Sequence, residues 1–196
     1  MKGTDSLIIT GGGEFANLIR DYDDLIGFSN EVTHFTAIDC MSIISKLLDD
    51  KFEFTEIVYS LEEACEVSGS GKIPILICSS ILEDCDTLEH SWKVSSDSIA
   101  AYISHLLKAK LLIATNVNGI YTQKPGEKNS IFIDEINANN LLSFEESSID
   151  LALPELLIKF GADCFIVNGN YPVRVLSIIN DDLVNHNFKY TYIRGE

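Results

Sequence analysis

The sequence predicts an α/β fold, a mainly parallel sheet sandwiched between helices in three α/β/α layers. Two observations predict it. Five short apolar runs recur along the chain and are continuous rather than alternating, the pattern of strands buried on both faces. Stretches of helical periodicity separate several of them, and strand–helix alternation joins neighbouring strands through right-handed crossovers. With 196 residues the chain can build one substantial core, so a single domain over 1–196 is expected.

The elements follow in order. Leu7-Ile8-Ile9 reads as a first buried strand, and Phe15, Leu18, Ile19 and Tyr22 then fall on one helical face. Val32 to Leu48 reads as a helix with mixed faces. Ile57-Val58-Tyr59 and Ile75-Leu76-Ile77 are the next strands, with a turn at Gly69-Ser70-Gly71. Ile99, Ala100, Ile103, Leu106 and Leu107 give a second helical stripe, followed by the strand Leu111-Leu112-Ile113. Gln123 to Ser130, with Pro125-Gly126 inside it, is an exposed loop. Ile149, Leu153, Leu156, Leu157 and Phe160 form a third stripe before the strand Phe165-Ile166-Val167. Phe188 to Ile193 alternates with period two and suits an edge strand.

Composition excludes several classes of function. The net charge of −16 repels a nucleic-acid backbone, so no nucleic-acid partner is expected. A nucleotide is still allowed, because backbone amides and one or two cations can hold it. No apolar run approaches the roughly 20 residues that cross a bilayer, and Met1 to Asp5 lacks the pattern of a secretory leader. A cytoplasmic protein with no membrane partner is expected. Five cysteines without a Cys-x-x-Cys pair argue against a disulfide framework and a zinc site, and read as small core residues. No metal-ligating set is assigned.

Ligands of such sheets bind where strands end, and three strand-exit loops carry candidate chemistry. The first is Gly11-Gly12-Gly13, between a strand and a helix, where bare backbone and free helix N–H groups can meet an anion. No Gly-Lys-Ser/Thr follows, so it is not a Walker A loop. Gly11, Gly13 and Ala16 also match a loose dinucleotide pattern, for which Glu31 stands at the distance of the ribose carboxylate; a plain tight turn is the third reading. The second loop, His90 to Ser98, opens a helix. Ser95 or Ser96 can cap it and Asp97 favours its first turn, yet capping does not need the nearby His90, Trp92 and Lys93. The third, Thr115-Asn116-Val117-Asn118-Gly119-Ile120-Tyr121, permits a left-handed turn at Asn118-Gly119 and offers Tyr121 as a flat surface for a base. Lys124 and Lys128 follow it and could meet phosphates or simply be solvated.

Strand–Gly-Gly-Gly-Glu-Phe-Ala, then Ser-Ser-Asp-Ser-Ile-Ala-Ala, then Thr-Asn-Val-Asn-Gly-Ile-Tyr, in this order, resembles the amino acid kinase family, which includes uridylate, acetylglutamate and glutamate 5-kinases. The likeness spans about residues 7 to 180. It implies an acceptor half at about 1–105 and an ATP half at about 106–196. The Gly11–Arg20 segment, Glu89-His90-Ser91-Trp92, and Val167-Asn168-Gly169 followed by Pro172-x-Arg174 are similar to members whose acceptor is a small phosphate monoester, converted to a diphosphate. By this resemblance Asp97 organises the catalytic centre, and Gly12 and Gly13 donate N–H groups to the transferred phosphoryl or the acceptor phosphate. Gly11, Glu14, His90, Trp92 and Ser96 bind the acceptor, Glu14 as partner for an ammonium. Thr115, Asn116, Asn118, Gly119, Tyr121, Lys124 and Pro125 bind ATP, with Mg2+ as its ion. A homo-oligomer is implied. Other acceptors within the family, a nicotinamide-dependent oxidoreductase, and a non-catalytic nucleotide-binding homologue are the alternatives.

Three departures from the family pattern qualify that expectation. Members open with a strand ending in Lys-x-Gly-Gly-Ser, whereas Met1-Lys2-Gly3-Thr4 follows no apolar strand. Either the start is assigned too late or the chain is truncated with weak or no activity. Asn116 and Asn118 stand where relatives commonly carry aspartates. Pro154-Glu155 stands where several carry a second catalytic lysine, and Lys159 reads as a surface residue.

Overall fold

The computed structural model describes residues 5–144, 148–183 and 187–196. They form two compact units, Met1–Ile99 and Ala100–Glu196.

In the first unit, α1 (Gly13–Ile26) begins at the glycine triplet and ends at Gly27, whose left-handed backbone lets its N–H reach the Asp23 carbonyl at 2.7 Å. The expected apolar stripe on α1 is present but not in the core. The helix has no buried residue, and Phe15, Leu18, Tyr22, Leu25 and Ile26 are exposed. α2 (Asn30–Asp49) starts at Ser29, whose Oγ accepts the Val32 N–H. It buries Ile38, Cys40 and Met41 alongside Thr33, His34, Ser42 and Ser45, the mixed face foreseen from the sequence. Then come β1 (Thr55–Val58), α3 (Leu61–Gly69), β2 (Ile73–Leu76) and α4 (Ser79–Cys85). β1 and β2 pair in parallel, Thr55 opposite Ile73 and Val58 opposite Leu76. All four β2 residues are buried, as a strand covered on both faces requires.

The strand expected at Leu7–Ile9 is reduced to one parallel bridge, Ile8 to Ile75. Ile8 N–H donates to the Pro74 carbonyl (2.9 Å) and Leu76 N–H to the Ile8 carbonyl (3.0 Å). Continuing the ladder toward Ser6 would need an N–H from Pro74, which proline lacks. The segment is nevertheless held: Thr10 Oγ1 donates to the Met41 carbonyl and shares a hydrogen bond with Ser45 Oγ, both at 2.9 Å. α5 (Ser96–Leu107) follows the second loop.

The second unit contains β3 (Leu111–Thr115), β4 (Ile120–Tyr121), β5 (Phe132–Ile133), β6 (Glu135–Asn137), α6 (Ala138–Leu141), α7 (Leu153–Phe160), β7 (Cys164–Asn168), α8 (Pro172–Ile179) and β8 (Tyr190–Arg194). β3, β7, β8 and β6 form one sheet in that order, while β4 and β5 form an antiparallel pair. β3–β7 and β6–β8 are parallel and β7–β8 is antiparallel. β8 is therefore interior, not the edge strand its alternation suggested. Alternation reports which face of a strand is buried, here Thr191 and Ile193, and is silent on how many neighbours it has. Leu153, Leu157, Ile166 and Ile193 are fully buried in this unit's core, each worth about 1.5–3 kcal/mol of transfer free energy. Ile149 joins that cluster although α7 starts only at Leu153. Lys159 is exposed as read.

Cys40, Cys78 and Cys164 are buried as read from the sequence, but Cys65 and Cys85 are exposed; none of the five is in a disulfide. Among the described residues, no helix is long and apolar enough to cross a membrane.

Candidate active site

The glycine triplet opens a cavity of about 260 Å³ in the first unit. Its shape begins in local sequence. Gly12 precedes α1 directly, and a Cβ there would stand 2.6 Å from the Ala16 Cβ and 3.3 Å from that of Cys40. Gly13 has φ +55°, a left-handed value that glycine tolerates. The backbone can therefore lie flat against α2 with its N–H groups free at a helix start. Gly11, Gly12, Gly13 and Glu14 line one wall, together with Asn17 and Arg20 one and two turns into α1.

The opposite wall comes from the second loop through Ser91, Trp92, Val94, Ser95 and Ser96. A Cβ on Gly11 would stand 3.3 Å from Ser96 Oγ, which shows how closely the two loops approach. Trp92 is fixed by its Nε1–H donating to Asp23 Oδ2 (2.7 Å), and the Arg20 guanidinium lies 4.8 Å over its ring. Among the described residues, Arg20 is the only Lys or Arg lining the cavity and Glu14 the only carboxylate. The floor is α2, through Thr33, His34, Ala37, Ile38 and Met41. His34 Nε2 is bonded to Asp86 Oδ2 at 2.7 Å, and its ring stacks on that of His90 with centroids 4.4 Å apart. Burial lowers the His34 pKa below the ordinary 6.5, and Asp86 opposes that only in part.

Six residues that the resemblance assigns to catalysis or acceptor binding thus share one cavity: Gly11, Gly12, Gly13, Glu14, Trp92 and Ser96. His90 stands behind the wall against His34 and Phe35. Asp97 is not among the lining residues; it sits in the first turn of α5, where its N–H donates to Ser95 Oγ at 3.4 Å, a capping contact. Glu31 belongs to the first turn of α2, with no strand before it, so the dinucleotide reading loses the strand-end carboxylate it needs. Asn17, Arg20, His34 and Asp86 were not picked out from sequence. Asn17 and Arg20 did carry a signal, lying four and seven residues after Gly13 on one helical face.

In the second unit, the third loop leaves β3 at Thr115, whose carbonyl accepts the Gly169 N–H at 2.8 Å. Asn168 ends β7 and donates through Nδ2 to the Asn116 carbonyl (3.2 Å) and to Asn118 Oδ1 (3.5 Å). Arg174 Nη1 donates to the same Asn118 oxygen at 2.7 Å, and its guanidinium lies 3.9 Å over the Tyr171 ring. Gly119 has φ +146°, and any Cβ there would collide with Thr191 Oγ1. Tyr121 packs edge-on against Phe132 at 5.2 Å. Asn116 is thus braced by Asn168, and Asn118 by both Asn168 and Arg174, while Lys124 and Pro125 lie in the exposed loop beyond β4. Asn168 and Arg174 were visible in sequence but had no assigned role in the site.

Comparison with known proteins identifies the family and the fold. Residues 63–168 match the amino acid kinase family model. The chain is 38% identical over 192 residues to the [5-(aminomethyl)furan-3-yl]methyl phosphate kinase of Methanocaldococcus jannaschii, covering 96% of this chain and 83% of that protein. It is 25% identical to the uridylate kinase of Methanococcoides burtonii, over 91% of this chain and 77% of that one. The crystal structure of uridylate kinase from Archaeoglobus fulgidus superposes with a TM-score of 0.68 at 16% identity, covering 95% and 83% of the two chains. In sequence and in fold, the chain belongs to the amino acid kinase family.

Proposed function

We propose that the chain is an ATP-dependent kinase that phosphorylates a small phosphate monoester to a diphosphate, with [5-(aminomethyl)furan-3-yl]methyl phosphate, the compound named for its Methanocaldococcus relative, as acceptor. The observation that carries this reading is the first-unit cavity, where one guanidinium stacked on an indole stands beside a row of glycine N–H groups. Arg20 and the Gly11–Gly13 amides grip the acceptor phosphate, Trp92 lies against a flat ring, and Glu14 faces an ammonium. A cavity of about 260 Å³ lies below the roughly 300–1,000 Å³ of sites for drug-sized ligands, so it suits a small monoester better than a nucleoside monophosphate.

In this reading Thr115, Asn116, Asn118, Gly119 and Tyr121, with Lys124 and Pro125, hold the nucleotide. Ser96 and the glycine amides donate to phosphoryl oxygens, and Asp97 organises the centre. Mg2+ would supply positive charge against the charge that grows on the nucleotide phosphates during transfer. Such an ion would keep several waters and need only one or two carboxylates, and Asp97 is the carboxylate this reading gives it. The two units work as one kinase domain over 1–196. It acts in the cytoplasm as a homo-oligomer, a state supported by the apolar face that α1 exposes.

The test is ADP release in a coupled assay with MgATP and, in separate runs, the aminomethylfuran phosphate, UMP and no acceptor. Acceptor-dependent ADP with the furan phosphate and a kcat/KM at least about a hundredfold below it for UMP is expected, a gap of about 2.7 kcal/mol. Faster turnover of UMP would transfer the assignment to a nucleoside monophosphate kinase.

A further inference from the structure

Beside the cavity, the first unit gathers three titratable side chains, His34, Asp86 and His90, whose ligand atoms lie within 4.8 Å of one another. The spacing resembles a metal site, but the rings are wrongly disposed for one. A metal lies in the plane of each imidazole that binds it, about 2.0–2.1 Å from the nitrogen. Here the two rings are stacked, 15° from parallel with centroids 4.4 Å apart, so their planes do not meet near both nitrogens. The 2.7 Å from His34 Nε2 to Asp86 Oδ2 is a hydrogen-bond length.

The cluster is a brace. Asp86 Oδ1 accepts the Leu88 N–H at 2.8 Å, while Oδ2 faces His34 at 2.7 Å and His90 Nε2 at 3.4 Å. With its side chain only 5% exposed, the carboxylate has no room to turn away. A carboxylate only accepts, so the His34 proton sits on Nε2, and burial keeps the ring neutral. Nδ1 then carries a lone pair. It has no hydrogen bond to a described residue, and among the described residues no buried side-chain nitrogen or oxygen is left without a partner. His34 lines the cavity, and Nδ1 is the ring nitrogen that its bond to Asp86 leaves available there.

We infer that His34 determines acceptor specificity by accepting a hydrogen bond from an N–H or O–H group that the acceptor carries away from its phosphate. Asp86 and His90 are positioning residues that hold the ring in that tautomer. The inference rests on the cavity being the acceptor site, and it goes further by assigning an acceptor feature to a residue outside the glycine and serine loops. An imidazole lone pair repels phosphate oxygens but suits an ammonium, whose three N–H bonds call for more acceptors than Glu14 alone.

Two measurements test it. Long-range proton–nitrogen correlation on histidine-labelled protein near neutral pH reads the tautomer directly. Wild type should show His34 protonated on Nε2 and bare on Nδ1, and Asp86→Asn, whose amide can donate, should shift that balance; a protonated Nδ1 in wild type overturns the inference. Calorimetry then compares two probe pairs that differ in one donor: O-phosphoethanolamine with ethyl phosphate, and the aminomethylfuran phosphate with its methyl analogue. Wild type should prefer the amine about tenfold or more, the worth of one hydrogen bond to a charged group. His34→Phe should shrink that preference to about twofold, and His34→Gln, which still offers an acceptor oxygen, should keep more of it. An unchanged preference, or equal weakening of both members of a pair, overturns the inference. If the furan compounds do not bind while the ethanolamine pair shows the His34-dependent preference, the furan assignment falls and the role of His34 stands. If wild type binds none of the four, the cavity is not an acceptor site and both fail.

Discussion

Arg20 is held over the Trp92 ring while Trp92 is tied to Asp23, so the cation is presented to the cavity with little rotamer freedom left to lose. A charge-assisted hydrogen bond of this kind contributes about 1.5–3 kcal/mol. Arg20→Ala should therefore raise the acceptor KM about ten- to a hundredfold with ATP binding within about twofold, measured by steady-state kinetics and ATP calorimetry. His34 makes a prediction in pH. Its folded pKa lies below the ordinary 6.5, so as pH falls through that value the unfolded chain takes up the proton first. This group therefore costs no stability above that pH and lowers stability progressively below it. Melting curves from about pH 7.5 to about pH 5 should fall more steeply for wild type than for His34→Gln. Parallel curves would show that the ring is not held neutral by burial. The glycine and serine residues of the site were legible because their signals are local, a turn residue or a cap beside a helix start. His34 was not, because its meaning depends on Asp86, 52 residues away.

At the level of elements, the third loop is held by a side chain from α8, Arg174, rather than by its own turn chemistry alone. Removing it leaves the Asn118 oxygen without its strongest donor and loosens the loop proposed to hold the nucleotide. Arg174→Ala should weaken ATP binding about tenfold, with the acceptor affinity unchanged; Arg174→Lys should recover only part, since an ammonium lacks the planar stack on Tyr171. Equal ATP affinity in both variants would show that the loop needs no brace. Elements with a clear apolar pattern were legible in sequence: α1, α2, α5, α7, β3 and β7 lie where that pattern put them, to within a few residues. Elements without such a pattern passed unseen. α3 carries a start signal, with Ser60 Oγ accepting the Glu63 N–H at 3.1 Å and Glu63 accepting the Tyr59 N–H at 2.7 Å, but no apolar stripe draws the eye to it. β4, β5 and β6 are two or three residues long and owe their pairing to partners distant in sequence.

At the level of the whole molecule, the α/β class was legible because continuous apolar strands can only be covered strands, whereas partnership at the surface was not. The stripe on α1 has the period of a packed helix, yet Leu18 is 51% and Leu25 82% exposed. The expected homo-oligomer gives that stripe a use. Leu18→Glu with Leu25→Glu should convert an oligomeric wild type to monomer in sedimentation velocity. The melting temperature measured at low protein concentration should hardly move, since exposed positions tolerate charge within about 0.5 kcal/mol. A variant that keeps the wild-type sedimentation coefficient would place the contact elsewhere. A last consequence concerns synthesis. β8 lies between β7 and β6, and Thr191 in it accepts the Ile120 N–H at 2.8 Å and donates to the Ile133 carbonyl at 2.6 Å. A ribosome that has delivered residues 100–183 therefore holds β3 and β7 with an open flank and β6 without its neighbour. Until residues 190–194 emerge and slot into the gap, that flank can capture any passing strand. Pausing or cleavage in this interval should yield aggregates rather than a soluble fragment.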